Sequence, residues 1–250
     1  NSKKFETTSS GATVSGILVA EGGIDATDAQ GNTRVGANAG DSFDGTNAEH
    51  NTLIGYNAGT AITTGDRNTF VGMNAAEATT TGSDNIAIGH NSLVSTTTGI
   101  RNTAVGSYSL DANTTGQYNN AFGRAALGAN TTGNSNTALG LNALSANTTA
   151  SYNTAIGVAC MEANTTGENN TAVGYLALDA NTTASYCTAV GHSALGANTT
   201  GTQNSAFGQA ALAANTTGQQ NVALGYNALV SNTTANNNTA LGYNALSANT

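Results

Sequence analysis

TAVGHSALGANTTGTQN, residues 188–204, is one copy of a 17-residue unit that recurs along most of a 250-residue chain. Eleven full copies run without insertion or deletion from Thr52 to Asn238, and a twelfth opens at Thr239. A looser, 19-residue copy precedes them, with Asn32-Thr33-Arg34-Val35-Gly36 aligning on Asn51-Thr52-Leu53-Ile54-Gly55. A fixed period of this size is the mark of a solenoid, in which each unit forms one coil and buries its apolar face only by stacking on its neighbours.

Coil positions are numbered here from Thr52 as position 1. Position 4 is glycine in every copy, as at Gly55, Gly191 and Gly242, and position 14 is most often glycine, as at Gly116 and Gly201. Glycine held at fixed corners among varying neighbours signals a turn with positive φ or a close backbone approach. Position 3 is always large and apolar (Ile54, Phe122, Val190), and position 2 is alanine from Ala87 onward. Position 7 is Ala, Ser or Cys, and position 8 is leucine from Leu93 to Leu246 apart from Met161. Each coil then reads as a strand, a glycine corner, a second strand carrying Ala-Leu, and an Asn-Thr-Thr-Gly corner. Stacked in parallel at about 4.8 Å per coil, the coils make a rod spanning roughly 60 Å.

Neighbouring residues of a strand face opposite ways. The pairs at positions 2–3 and 7–8 therefore predict two dry faces, with the large position-3 residues inside the coil and the alanines turned outward. A second dry surface predicts further copies of the chain around a common axis, a homotrimer. Asn recurs at position 17 from Asn51 to Asn238, with Cys187 the exception, and at position 11 from Asn113 to Asn249. One amide per coil at a fixed place predicts hydrogen-bonded ladders.

Residues 1–31 stand outside the repeat. Two short alternating runs, 4–8 and 12–19, flank a Ser9-Ser10-Gly11 turn, and a loop over 20–31 leads into the solenoid at 32–250. The fold class is thus all-β, a parallel β-solenoid (β-roll) behind a small N-terminal β module. Opening at Asn1 without a leader and closing in mid-coil at Thr250, the chain reads as a portion of a longer one.

Only 8% of residues are charged, against about 25% in ordinary soluble domains, and the formal net charge is −8. Nucleic acid and anionic membranes call for clustered Lys and Arg, so neither is an expected partner. No apolar run is long enough to insert into a membrane as a helix. Ten of the fourteen acidic residues precede Gly89, leaving the later coils nearly neutral.

The residues carry no chemistry that points to an enzyme. Ser and Thr abound, but no base and orienting group accompany them, and the glycines lack the Lys-Ser/Thr ending of a phosphate loop. His90 and His192 share position 5 but stand six coils apart, roughly 29 Å; His50 lies elsewhere, so no metal site forms within one chain. Cys160 and Cys187 occupy different places on the cross-section and read as buried thiols. Asp41, Asp44 and Glu49 form an acidic loop in the irregular first coil. Eight Asn-Thr-Thr triplets from Asn113 to Asn232 match a glycosylation pattern, but they repeat one corner position. The paired threonines (Thr114-Thr115, Thr131-Thr132, Thr148-Thr149) raise ice binding, although only one of each pair is expected to face outward. No catalytic, cofactor-binding or metal-ligating residue is expected, and no binding residue is assigned. A further expectation is host-glycan contact through Tyr56, Tyr175, Tyr226, Asn227 and Tyr243.

Strings such as NVALGYNALVSNTTANNNTALGYNALSANT (221–250) resemble repeats in bacteriophage tail fibres, and SKKFETTSSGATVSGILV (2–19) looks like the short module that introduces such fibre segments. NTAVG-type pentads are similar, more distantly, to the heads of trimeric autotransporter adhesins. The resemblance implies a homotrimeric fibre at the virion tail, attached to other virion tail proteins, carrying host attachment to a surface receptor or glycan, and folding with a C-terminal chaperone domain. A bacterial surface adhesin or extracellular filament is the alternative, and an ice-binding solenoid the second.

Overall fold

The structure is a computed structural model that describes residues 5–8, 11–14, 28–43 and 47–249. Two short strands, β1 (Phe5–Thr8) and β2 (Gly11–Val14), pair antiparallel through Phe5↔Val14 and Thr8↔Gly11. The remaining strands, from β3 (Thr33–Val35) and β4 (Thr52–Ile54) through to β15 (Thr239–Leu241), form one 13-stranded parallel sheet in strict chain order. Register follows the repeat: Thr154 pairs with Thr171, Ala155 with Ala172 and Ile156 with Val173. The sheet is the parallel β-solenoid that the 17-residue period predicts.

Each coil has one three-residue strand, at positions 1–3. The second strand expected around positions 7–8 is absent among the described residues; that segment is a run of turns. Turns stack here as a sheet does. Tyr108 N donates to His90 O of the preceding coil at 3.0 Å, and Leu110 N to Ala126 O of the following coil at 3.0 Å. Holding those bonds puts position 8 in the left-handed region, as at Leu178 with φ 54. Such a conformation costs a non-glycine residue about 1–3 kcal/mol, which complete burial of the leucine offsets. At position 4 the backbone goes where only glycine is comfortable. Gly191 has φ +136, and a Cβ there would lie 2.5 Å from Gly208 O of the next coil.

The apolar faces are the reverse of the sequence expectation. Ala155, Ala172 and Ala189 at position 2 are fully buried inside the coil, whereas Ile54, Phe122, Leu139 and Phe207 at position 3 are exposed. Volume explains the inversion. Position 8 lies in a turn, where strand alternation does not apply, and both positions 7 and 8 point inward: Ala143 and Leu144 are each fully buried. With a leucine filling the interior from one side, the facing strand has room only for alanine.

The amide ladders form as expected. Asn153 N–H donates to Asn136 Oδ1 at 3.0 Å, and Asn164 Nδ2 to Asn147 Oδ1 at 3.0 Å. Both ladders then converge on one carbonyl per coil: Gly167 O accepts Asn153 Nδ2 at 2.8 Å and Asn164 Nδ2 at 3.0 Å. Buried polar groups must be paired, and these ladders pair the corner of each coil. Cys187 interrupts one ladder. Its N–H still donates to Asn170 Oδ1, and its thiol turns to Gly201 O at 3.3 Å. At the other end Asp28 terminates the ladder, taking Asn32 N on Oδ1 and Asn32 Nδ2 on Oδ2.

Candidate functional site

With the interior sealed, any function of the solenoid belongs to its outer surface, and four rows of side chains compose most of it. The first is the outer face of the strands. Positions 1 and 3 point outward on either side of the buried position 2, so a threonine row (Thr137, Thr154, Thr171, Thr188) runs beside an apolar row (Leu139, Ile156, Val173, Val190). In-register pairing carries the apolar row from Val35 to Leu241 without a charged residue. Its exposed area is on the order of several hundred Å², the size at which a contiguous apolar patch marks an interaction site.

The second row is position 5, which faces outward, as expected for His90 and His192. Tyr56, Tyr175, Tyr226 and Tyr243 are exposed there, and Asn227 beside them is half-buried. Their rings mostly use one another. Tyr226 and Tyr243 stack at 5.2 Å between centroids, Tyr175 and His192 at 5.4 Å, and His90 meets Tyr108 edge-on at 5.1 Å. Residues in successive coils are close enough for such stacking.

The third row is the threonine corner. Position-12 hydroxyls are turned into the coil stack, as Thr131 Oγ1 donates to Thr148 O at 3.0 Å, leaving only position 13 (Thr115, Thr132, Thr149) exposed. The asparagines of the Asn-Thr-Thr triplets are fully buried, and their amides are engaged in the ladder. Corner packing therefore accounts for the triplets, and no glycan can reach those nitrogens in the folded coil.

The fourth row is position 16, which the sequence reading passed over. It carries an ion-pair ladder in early coils, where Arg67 Nε meets Asp84 Oδ1 at 2.6 Å, and tyrosines later, at Tyr118, Tyr152 and Tyr186. Arg67 holds the Asp84 carboxyl below its ordinary value through that hydrogen bond. The signal for this row was available in the sequence, since the three tyrosines share one position and stand two copies apart.

The titratable candidates remain scattered. His50 sits exposed 3.9 Å from Glu49, and both line a shallow depression of about 430 Å³ with Asp28. Asp41 is exposed and does not join it, and Asp44 lies outside the described residues. Among the described residues no three His, Cys, Asp or Glu side chains gather as metal ligands. Cys160 and Cys187 are free and buried. Burial pushes the Cys160 thiol up to about 12 and raises Cys187 as well, so neither offers a thiolate. No described helix is long and apolar enough to cross a membrane. No family model, curated protein or solved structure matches this chain.

Proposed function

We propose that the chain is the structural shaft of a bacteriophage tail fibre, a parallel homotrimer that holds a host-attachment surface away from the virion and performs no catalysis. The observation that carries this reading is the uncharged apolar row at position 3. It lies on one side of the coil and repeats in register once per coil over the full stack. A partner that covers such a row along its length needs the same rise per coil, and a second and third copy of this chain have it by construction. The position-3 residues, rather than the alanines, thus supply the apolar face that a neighbouring copy would cover. The resemblance of the repeats to tail-fibre shafts supports the trimer over other assemblies, and the bland, low-charge coil suits a spacer.

Light scattering tests the reading. The chain mass is 24.7 kDa, and the particle in solution is expected at three times that value. Replacing Ile156 and Val190 together by Asp should bring it to one chain mass while the β-sheet circular dichroism persists. A wild-type monomer overturns the assembly and with it the fibre reading; twice the chain mass overturns the trimer. A second reading gains from the same face. Threonine and aliphatic rows side by side on a parallel sheet offer two regular outward ranks, where the paired threonines offer one. It predicts a monomer with measurable thermal hysteresis, so the two readings part on the same sample. A bacterial adhesin or filament of the same coil would share the trimer and differ in its cellular location.

A further inference from the structure

We propose that Tyr118, Tyr152 and Tyr186 form a binding track for an extended, uncharged β-1,4-linked hexopyranose chain of the cellulose or chitin type. The three tyrosines occupy position 16 of three alternate coils, the fourth, sixth and eighth full copies. At the spacing of parallel strands, two coils amount to roughly 9.6 Å. In an extended chain of equatorially linked pyranoses each ring is turned half over relative to the last, so every second ring presents the same face. The disaccharide repeat of such a chain is close to two coils. A pyranose face carries axial C–H bonds, which suit the negative face of an aromatic ring. The hydroxyls around its rim need polar partners, and exposed Ser135 and Asn169 stand between the tyrosines at the same position.

One observation separates Tyr152 and Tyr186 from the stacked tyrosines. Rings in successive coils take each other as partners, as Tyr226 and Tyr243 do at 5.2 Å and 10°. Placed two coils apart, Tyr152 and Tyr186 cannot, and their side chains have no ring, ion or hydrogen-bond partner among the described residues while being 62% and 64% exposed. Tyr118, at the end of the row, is steadied by Arg101, whose guanidinium lies 5.6 Å from the ring centroid and whose Nη1 donates to the phenol oxygen at 3.1 Å. All three are held at positive φ, with values of 59, 63 and 62, as every residue at position 16 is, so the coil presents each ring from the same backbone conformation. The proposal needs the coil alone and does not rest on the fibre reading.

Isothermal titration with cellohexaose and with the hexamer of N-acetylglucosamine tests it, with maltohexaose as the curved, α-linked control. At least one β-linked hexamer should bind with Kd below about 1 mM. It should bind at least about tenfold tighter than its own trimer, because only the longer chain reaches three tyrosines. Tyr152→Ala and Tyr186→Ala should each weaken binding about tenfold or more, and Tyr226→Ala should leave it unchanged. The double variant Ser135→Tyr with Tyr152→Ser keeps the number of tyrosines and shifts one by a single coil; it should bind as weakly as Tyr152→Ala. The substitutions are on exposed side chains, and unchanged circular dichroism confirms the fold. No heat with either β-linked hexamer, equal binding of maltohexaose, or indifference to Tyr152→Ala overturns the proposal.

Discussion

The coils before residue 86 and those after it enclose the same outline with opposite fillings. In the early coils the strand supplies the bulk: Leu53 and Phe70 at position 2 are fully buried, and position 8 is Gly59 or Ala76. From Ala87 and Leu93 onward the bulk comes from the turn and the strand keeps only alanine. The exchange is steric. A Cβ on Gly59 would lie 2.8 Å from Ile62 Cδ1 and 3.0 Å from both Leu53 Cδ2 and Phe70 Cδ2. Between strand and turn such a coil admits one large side chain, and either wall can provide it, with Ile62 filling the adjoining corner in the first full copy. The same division shows at position 11, where Ile62, Thr79 and Thr96 precede the asparagine ladder that opens at Asn113. Thr79 Oγ1 is buried without a hydrogen-bond partner among the described residues, while Thr96 Oγ1 accepts Asn113 Nδ2 at 3.2 Å and so starts the ladder.

What the two regions share should break both equally. Gly72 and Gly191 both carry left-handed φ, +137 and +136, and a Cβ on either would strike the next coil's carbonyl at 2.6 and 2.5 Å. Gly72→Ala and Gly191→Ala are each expected to cost more than about 4 kcal/mol in denaturant unfolding, because coils are held chiefly by their neighbours. A markedly smaller loss at one site would show that the corner is not common to both regions.

The next effect measures the exchange itself. Leu127→Ala leaves a cavity and should cost about 2–5 kcal/mol, and Ala121→Leu overpacks the coil at about 1–3 kcal/mol. The two changes together rebuild the early-coil filling inside a later coil, so the double variant should cost less than the sum by at least about 1 kcal/mol. Strict additivity in urea melts would refute the shared-volume account.

Thr79→Val removes a buried hydroxyl that has no partner and should raise stability by up to about 1 kcal/mol. Thr96→Val removes one that both accepts from Asn113 Nδ2 and donates to Asn113 O at 3.1 Å, and it should cost about 1–3 kcal/mol. Opposite signs in adjacent coils would fix where the ladder begins.

The smallest effect is electrostatic and belongs to the later coils. Burial raises the Asp179 carboxyl, and the charge of Glu162 one coil away raises it further. The folded chain therefore binds this proton more readily than the unfolded one. Ionised Asp179 destabilises the coil above its folded pKa, and the penalty is gone below the ordinary carboxylate value. Asp179→Asn should stabilise by less than about 1 kcal/mol at neutral pH, with the gain fading as the pH is lowered through the carboxylate range. A gain that persists in acid would assign it to packing.

The repeat made some of this legible and left the rest open. The period, the parallel stack, the glycine corner and both asparagine ladders follow from identical groups returning at one place per coil, since every copy then meets its own kind. The position-16 tyrosines carried a sparser signal, three residues spaced two coils apart, which a 17-residue alignment averages away. The facing of the apolar pairs was read in the wrong sense. An adjacent Ala-Val pair specifies two faces without saying which is inside, because alternation is symmetric under a one-residue shift. Likewise Ala-Leu at positions 7–8 reads as a strand when only side-chain type is considered.

Sequence by itself thus determined that the chain is a stacked parallel β-solenoid and which polar groups its coils share. Only the tertiary structure decided that the segment carrying the leucines is a turn, that both of its apolar residues point inward, and that the strand must therefore turn its larger residue out. The physical reason is volume: the space left across a narrow coil depends on both walls at once, and no single stretch of sequence contains both.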